Sequence, residues 1–284
     1  MISGHRPFDP PPAAVADVVA RALAEDVLPM GDLTAALVDA DLAATAEVVS
    51  RAPGVLAGSA CFIEAYAQVD PGVSVRWALL DGDAVHPGAR VCEVSGPLAS
   101  ILTGERTALN LLCHLSGVAS LTRRYVDAVG ASSTQVLDTR KTLPGLRAVQ
   151  KAAVRAGGGF NHRGSLSEMV LVKDNHRAAL GIGEAVARAR RRWPFRGVEV
   201  ECETVEHVRQ AVAAGASAVL LDNMTPAQVK ECVAEVAGRA LTEASGGVDL
   251  RTVGAYAATG VDFVSVGALT ASAPSLDLGL DLEP

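Results

Sequence analysis

The sequence predicts an α/β protein with one large domain and one smaller one, on three observations. Its 284 residues exceed one typical domain and fall short of three. The composition is 49% hydrophobic and 20% charged but only 4% aromatic, so a substantial core must be packed from small aliphatic residues, which suits helices on strands better than a β-sandwich. From residue 135 onwards short β-rich runs alternate with helical patterns, the mark of successive parallel βα units.

In chain order, the lead MISGHRPFDPPP lacks the apolar core of a secretory signal, and no run reaches the length of a membrane span, so a cytoplasmic protein is expected. Ala13 to Ala24 has helical periodicity and ends near Glu25, Asp26 and Gly31-Asp32. β-like stretches follow around Ala46 to Ser50 and Val73 to Leu80. The segment Asp81 to Val94, DGDAVHPGARVCEV, reads as a hairpin punctuated by Pro87-Gly88. Similar hairpins occur in biotinyl and lipoyl carriers, but this turn offers no lysine to modify. Pro97 to Val129 is helical in character, with a break expected near Ser116-Gly117 and the domain junction inside it.

Six β-rich runs then end in a polar residue or glycine: QVLD (135–138), MVLV (169–172) before Lys173, VEV (198–200) before Glu201, AVLL (218–221) before Asp222, ALT (240–242) before Glu243, and FVSV (263–266) before Gly267. Between two of them, Thr225-Pro226 with Gln228 forms a capping-box start for a helix that closes at Gly238. AAGASAVLLDN (213–223) and ATGVDFVSVGA (258–268) resemble each other as helix end, glycine cap, buried strand and site residue. Six such units point to a barrel, with an open doubly wound sheet as the alternative.

The formal net charge of −7 argues against a nucleic-acid surface. Yet between Asp138 and Arg177 eight bases face three acids, a basic island suited to a small polyanion. Within it Arg147, Lys151 and Arg155 sit at helical spacing and read as a solvated helix face. The five cysteines are widely separated and form no C-x-x-C pair, so reduced and mostly buried thiols are expected.

In a βα-barrel the strand C-termini converge on one mouth, which would gather four kinds of group. Arg140, Lys141, His162, Arg163 and Lys173 are cationic and suit carboxylates and phosphates, although each base alone could be a surface charge. Glu201 and Asp222 are acids at strand ends that a metal or sugar hydroxyls would satisfy, with an ion pair to Lys141 or Lys173 as the plain alternative. Ser245, Gly246 and Gly247, with Gly267 and Ala268, form two glycine-bearing loops after the last two strands, where barrels often bind phosphate. Arg106 lies in the helical stretch of the smaller domain. It serves either a surface ion pair or a neighbouring subunit's site.

LAEDVLPMGDLT (23–34), GVLAG (54–58), GERTALNLLCHLSGVAS (104–120), DTRKTLPGLR (138–147), KAAVRAGGGFNHR (151–163), VLVKDNH (170–176), EVE (199–201), LLDN (220–223), EASGG (243–247) and VGALT (266–270) together resemble the quinolinate phosphoribosyltransferases over nearly the whole chain. Gly164-Ser165 and Ala271 depart from that pattern. The resemblance implies an N-terminal α/β sandwich (1–115, joined by 272–284) and a seven-stranded, TIM-like α/β barrel (116–271). It implies a homodimer with shared active sites, or a larger assembly of dimers. Arg140, His162, Arg163 and Lys173 would hold quinolinate with Arg106 of a neighbouring subunit. Lys141, Glu201, Asp222, Ser245, Gly246, Gly247, Gly267 and Ala268 would hold phosphoribosyl pyrophosphate, with Glu201 and Asp222 near its Mg²⁺; Lys141, Lys173, Glu201 and Asp222 would be the catalytic set. Competing readings are a Schiff-base aldolase using Lys173, a relative acting on nicotinate or linked to metal transport, and a non-catalytic binding module.

Overall fold

The computed structural model describes residues 9–282; most of the lead in which no signal core was found, residues 1–8, lies outside them. The helices are α1 (Pro12–Val27), α2 (Ser59–Val69), α3 (Leu98–Val129), α4 (Arg147–Ala156), α5 (Asp174–Leu180), α6 (Ile182–Arg192), α7 (Val205–Ala213), α8 (Pro226–Val236), α9 (Val253–Ala257) and α10 (Ala268–Ala271). The strands are β1 (Ala43–Ser50), β2 (Gly54–Val55), β3 (Ser74–Trp77), β4 (Ala84–Val85), β5 (Arg90–Pro97), β6 (Gln135–Leu137), β7 (Val170–Val172), β8 (Val198–Cys202), β9 (Ala218–Asp222), β10 (Leu241–Ser245), β11 (Phe263–Ser265) and β12 (Leu278–Leu282). Two compact units result: Met1–Arg123 with Thr142–Gly158 and Leu269–Pro284, and Arg124–Lys141 with Gly159–Ala268. Residues 142–158, which the sequence boundary at 116 groups with the barrel, pack within the first unit.

The first unit is built on an antiparallel sheet in the order β12-β1-β5-β3. Alternation in β1 turns Ala46, Val48 and Ser50 inward, the period-2 pattern that fixes register. The expected hairpin at 81–94 is not one. The chain does reverse, with the Ala89 N–H donating to the His86 carbonyl, but β4 pairs with β2 and β5 with β1 and β3. A turn signal marks a reversal of direction and is silent about which strand becomes the partner.

The break expected at Ser116-Gly117 is also absent, since α3 runs unbroken through 32 residues. Both residues serve packing. The Ser116 hydroxyl lies 3.0 Å from both the N–H and the carbonyl oxygen of Ala57, and a Cβ on Gly117 would meet the Pro274 carbonyl oxygen at 2.0 Å. Glycine is required there so that two backbones can touch. Nor is α4 a solvated face: Lys151 is 6% exposed, and Arg155 is half-buried and donates to the carbonyl of Asp9. Gln150, fully buried, accepts from the Leu143 N–H, donates to the Thr270 carbonyl and contacts His114 Nε2 at 2.9 Å, tying α3, α4 and α10 together.

In the second unit six parallel strands run in the order β6-β11-β10-β9-β8-β7. A seventh place is filled at Phe160, which forms a parallel bridge with Leu137: its N–H donates to the Val136 carbonyl, and its carbonyl accepts from the Asp138 N–H. The expected strand runs thus all occur, and the segment ending in Asn161-His162-Arg163 supplies the seventh. Every residue of β8 is buried, as a parallel strand covered on both faces requires. The expected cap at Thr225 is present with its reciprocal Gln228 bonds, and Ala237 and Gly238 end α8 in left-handed geometry. Gly215 and Gly260, the glycines of the two similar segments, both have positive φ. Among the described residues no helix is long and apolar enough to cross a membrane.

Candidate active site

Strands that end together deliver their next residues to one rim. In the second unit that rim encloses a cavity of ≈ 340 Å³, walled by residues from all seven strand positions. Arg140 and Lys141 follow β6, His162 and Arg163 follow the Phe160 segment, and Lys173 follows β7. Glu201, Asp222 and Ser245 come from the ends of β8, β9 and β10. Eight sequence-derived site residues therefore share one pocket.

The glycine-bearing loops adjoin these residues. A Cβ on Gly267 would lie 3.0 Å from Lys141 Cδ, and a Cβ on Gly246, whose φ is +89°, would lie 2.2 Å from Asn223 Oδ1. Asn223 itself takes positive φ, donates its N–H to the Ser245 carbonyl and donates its side-chain N–H to Asp222 Oδ2 at 2.8 Å. The 220–223 string therefore presents an acid together with the donor that orients it. Gly247 also has positive φ, and Ala268 opens α10. The Gly164-Ser165 loop is closed by Glu168, which accepts from the Gly164 N–H at 2.7 Å. Arg106 is on α3 of the first unit, 65% exposed and 3.6 Å from Glu105.

At the mouth, Lys173 Nζ lies 2.9 Å from Glu201 Oε2, the ion pair anticipated for one of the two lysines. Burial, followed by the nearby charge of Glu201, raises the Asp222 pKa. Two carboxylates that repel each other beside a cationic wall make a site that a divalent cation would stabilise, so the donor set fits Mg²⁺.

Below the mouth the structure adds two acids absent from the sequence-derived set. Glu199 and Glu243, 1% and 3% exposed, approach His162 Nε2 at 2.9 and 3.3 Å. The alternation of β8, VEVEC, carries the signal: a carboxylate between two buried valines, on the same strand face as Glu201. Deeper still, Asp138 is fully buried; it accepts from the His162 N–H at 2.9 Å and from the Asn161 side chain at 2.5 Å.

Burial lowers the His162 pKa, but hydrogen bonds and charge from Glu199 and Glu243 outweigh it and hold it at about 10. Burial pushes Glu199 up to about 7. The cluster therefore retains a proton beyond that of a neutral imidazole. The Arg163 N–H points at His162 Nδ1 from 2.8 Å, leaving no room for a second ring proton there. With Nδ1 accepting, the ring carries a proton on Nε2, facing the two acids. The Nε2 and one oxygen of each acid lie within 4.8 Å of one another, spacing that could hold a metal, but an Nε2 that carries a proton donates to carboxylates and has no lone pair for a cation. Both ring nitrogens have partners inside the protein, and the ring also lines the pocket, where the resemblance gives it a hold on a substrate carboxylate.

Comparison with known proteins agrees with this construction. Residues 32–116 match the family model for the quinolinate phosphoribosyl transferase N-terminal domain, and residues 118–281 match that for the C-terminal domain. The chain is 42% identical over 254 residues to a probable nicotinate-nucleotide pyrophosphorylase (carboxylating) of Bacillus subtilis, covering 89% of this chain and 88% of that protein. It is 42% identical over 277 residues to the nicotinate-nucleotide pyrophosphorylase (carboxylating) of Mycobacterium leprae, covering 95% and 97%. The solved nicotinate-nucleotide pyrophosphorylase of Francisella tularensis superposes with a TM-score of 0.93 at 39% identity, covering 99% of this chain and all of that one. Similarity of this extent across both units, with the pocket residues in register with the expected motifs, makes the chain a member of the quinolinate phosphoribosyltransferase family.

Proposed function

We propose that the protein converts quinolinate and phosphoribosyl pyrophosphate to nicotinate mononucleotide, pyrophosphate and carbon dioxide, a step of de novo NAD biosynthesis. The observation that carries this reading is the meeting of Arg140, Lys141, Arg163 and Lys173 with Glu201 and Asp222 around one small cavity. Arg140, Arg163 and Lys173, with His162 beside them, suit the two carboxylates of quinolinate. Lys141, Ser245 and the loops at Gly246-Gly247 and Gly267-Ala268 suit the phosphates, and Glu201 and Asp222 suit the ribose and the Mg²⁺ that travels with the pyrophosphate.

Glu201 and Asp222 would hold the Mg²⁺ that accompanies the pyrophosphate, and the ion would neutralise leaving-group charge. The carboxylates of Glu201 and Asp222 stabilise the positive charge that grows on the ribose as the pyrophosphate departs, and the pocket cations hold the pyridine ring so that its nitrogen attacks. The alkylated nitrogen is cationic and stabilises the electron pair left on C2 when its carboxylate departs as carbon dioxide, and C2 then takes a proton from water. Incubation with quinolinate, phosphoribosyl pyrophosphate and Mg²⁺ should yield nicotinate mononucleotide, and excess EDTA should stop it. Comparable turnover of nicotinate would overturn the substrate assignment, because fixed cations left without a carboxylate are penalised.

The working form in this proposal is a homodimer, alone or within a larger assembly of dimers, in the cytoplasm. Four of the five cysteines are buried thiols, which suits a reducing compartment. Leu28, Met30, Leu33 and Leu37 are 64% or more exposed in the first unit, and Asp26 and Asp32 beside them accept from Thr107 and Thr103, the residues flanking Arg106 on α3. An apolar surface next to an exposed arginine suits a subunit contact that carries Arg106 into a partner's site. Arg106→Ala and Lys173→Ala should each be nearly inactive, and mixing them with subunit exchange should restore about a quarter of full activity. No recovery after exchange is verified by mass would exclude the shared site.

A further inference from the structure

A largely buried imidazole against two buried carboxylates is an expensive arrangement, and apolar residues of similar size often serve stability better. Its place in the pocket wall calls for a reason connected with the pocket. His162 is followed immediately by Arg163, whose guanidinium stands close enough to that of Arg140 for the two to repel. Five contacts fix the short segment carrying both residues. Asp138 holds the His162 N–H, the Arg163 N–H holds His162 Nδ1, Glu199 and Glu243 hold Nε2, and the Met169 carbonyl accepts from Arg163 Nη1 at 3.1 Å. Removing the Nε2 partners would free the ring to turn, and the ring is what the Arg163 backbone leans on.

Charge acts in the same direction. Glu199 favours the charged form of Arg163, against the effects of burial and of Arg140. The negative charge of the buried acids below a pair of guanidiniums lets them stand side by side before any substrate arrives, which is preorganisation of a dianion site. Other charged groups lining the pocket are Lys141 and Lys173, with Glu201 and Asp222 on the far strands.

We propose that Glu199 and Glu243 are positioning residues for quinolinate: through the His162 ring they hold Arg163 beside Arg140 in the geometry that receives two carboxylates. The proposal rests on the assignment of Arg140 and Arg163 to quinolinate made above, and it assigns to the two acids no contact with either substrate.

The test uses the full-length enzyme with KM measured separately for the two substrates. Glu199→Ala and Glu243→Ala should raise KM for quinolinate by about tenfold, as displacement of a binding group does, while KM for phosphoribosyl pyrophosphate changes by less than about twofold. Glu199→Gln and Glu243→Gln, which keep an oxygen facing Nε2 and nearly the same volume, should recover part of the quinolinate KM; they also stand in if the alanine variants do not fold. Folding is followed by near-ultraviolet circular dichroism. Arg163→Ala is the control. If it leaves KM for quinolinate unchanged, the subsite assignment is wrong. If it raises KM for quinolinate while folded Glu199 and Glu243 variants keep normal values, or raise both KM values alike, the positioning role is overturned.

Discussion

Glu199 and Glu201 leave β8 on the same face, two residues apart, yet they occupy different chemical settings. Glu201, nearer the strand end, meets a half-exposed lysine across 2.9 Å. Glu199, one step deeper, meets an imidazole that is 11% exposed and a second carboxylate from β10. At the mouth the cation is on a long flexible stem with water nearby, so the pair can open when a ligand competes for either member. In the deeper layer neither partner can be replaced by water, so the contact persists and its proton affinity is set by burial. Depth along a single strand thus separates groups suited to meeting substrate from groups suited to holding others in place.

The largest effect that would test this contrast is on stability. His162→Ala strands two buried carboxylates and should cost about 3–5 kcal/mol, read from the urea midpoint. A loss below about 1 kcal/mol would mean that water reaches the cluster and that the two layers are alike. Next is Lys173→Ala, which should lower turnover by about a hundredfold, or about 2.7 kcal/mol, while changing stability by about 1 kcal/mol or less, because the lysine is half-exposed and water can take its place beside Glu201. If this variant instead unfolds readily, the mouth is structural as well.

The smallest effect is a pH slope. Glu199 has a folded pKa of about 7, raised above the unfolded value, so the folded state binds more protons between the two. The stability linked to it is fully present below the unfolded pKa of about 4.5 and is lost as pH rises through about 7. Urea midpoints measured from pH 5 to 8 should fall, and Glu199→Gln should flatten the slope. An unchanged slope would move the extra proton off Glu199.

How far the sequence could be read follows the same division of depth. Strand-end residues are conspicuous because a polar side chain interrupts an apolar run, and Arg140, Lys173, Glu201 and Asp222 all meet at the cavity. Glu199 lies inside its run and Glu243 was noted only as an ending, so neither joined the candidate set. Their role depends on which strands face each other across the barrel, which periodicity along one strand does not encode. The seventh strand position escaped detection for a related reason, since a one-residue bridge at Phe160 leaves no pattern. In the first unit the errors came from reading local signals literally: Ser116-Gly117 as a break and Pro87-Gly88 as a hairpin, where long-range packing governs both. The capped helix α8 was fully legible because its signals are contained within its own residues.

The pairing of β1 with β12 has a consequence for synthesis. Ser50 lies opposite Leu278, so the first sheet has a vacant edge while more than two hundred intervening residues leave the ribosome. All strands of the barrel unit lie before residue 268, so that unit has its full complement of strands first, against the usual order in which N-terminal parts fold earliest. During elongation β1 offers unpaired backbone groups to whatever is near. A nascent-chain holdase that shields residues 43–50 would matter more to the yield of this protein than to its final stability.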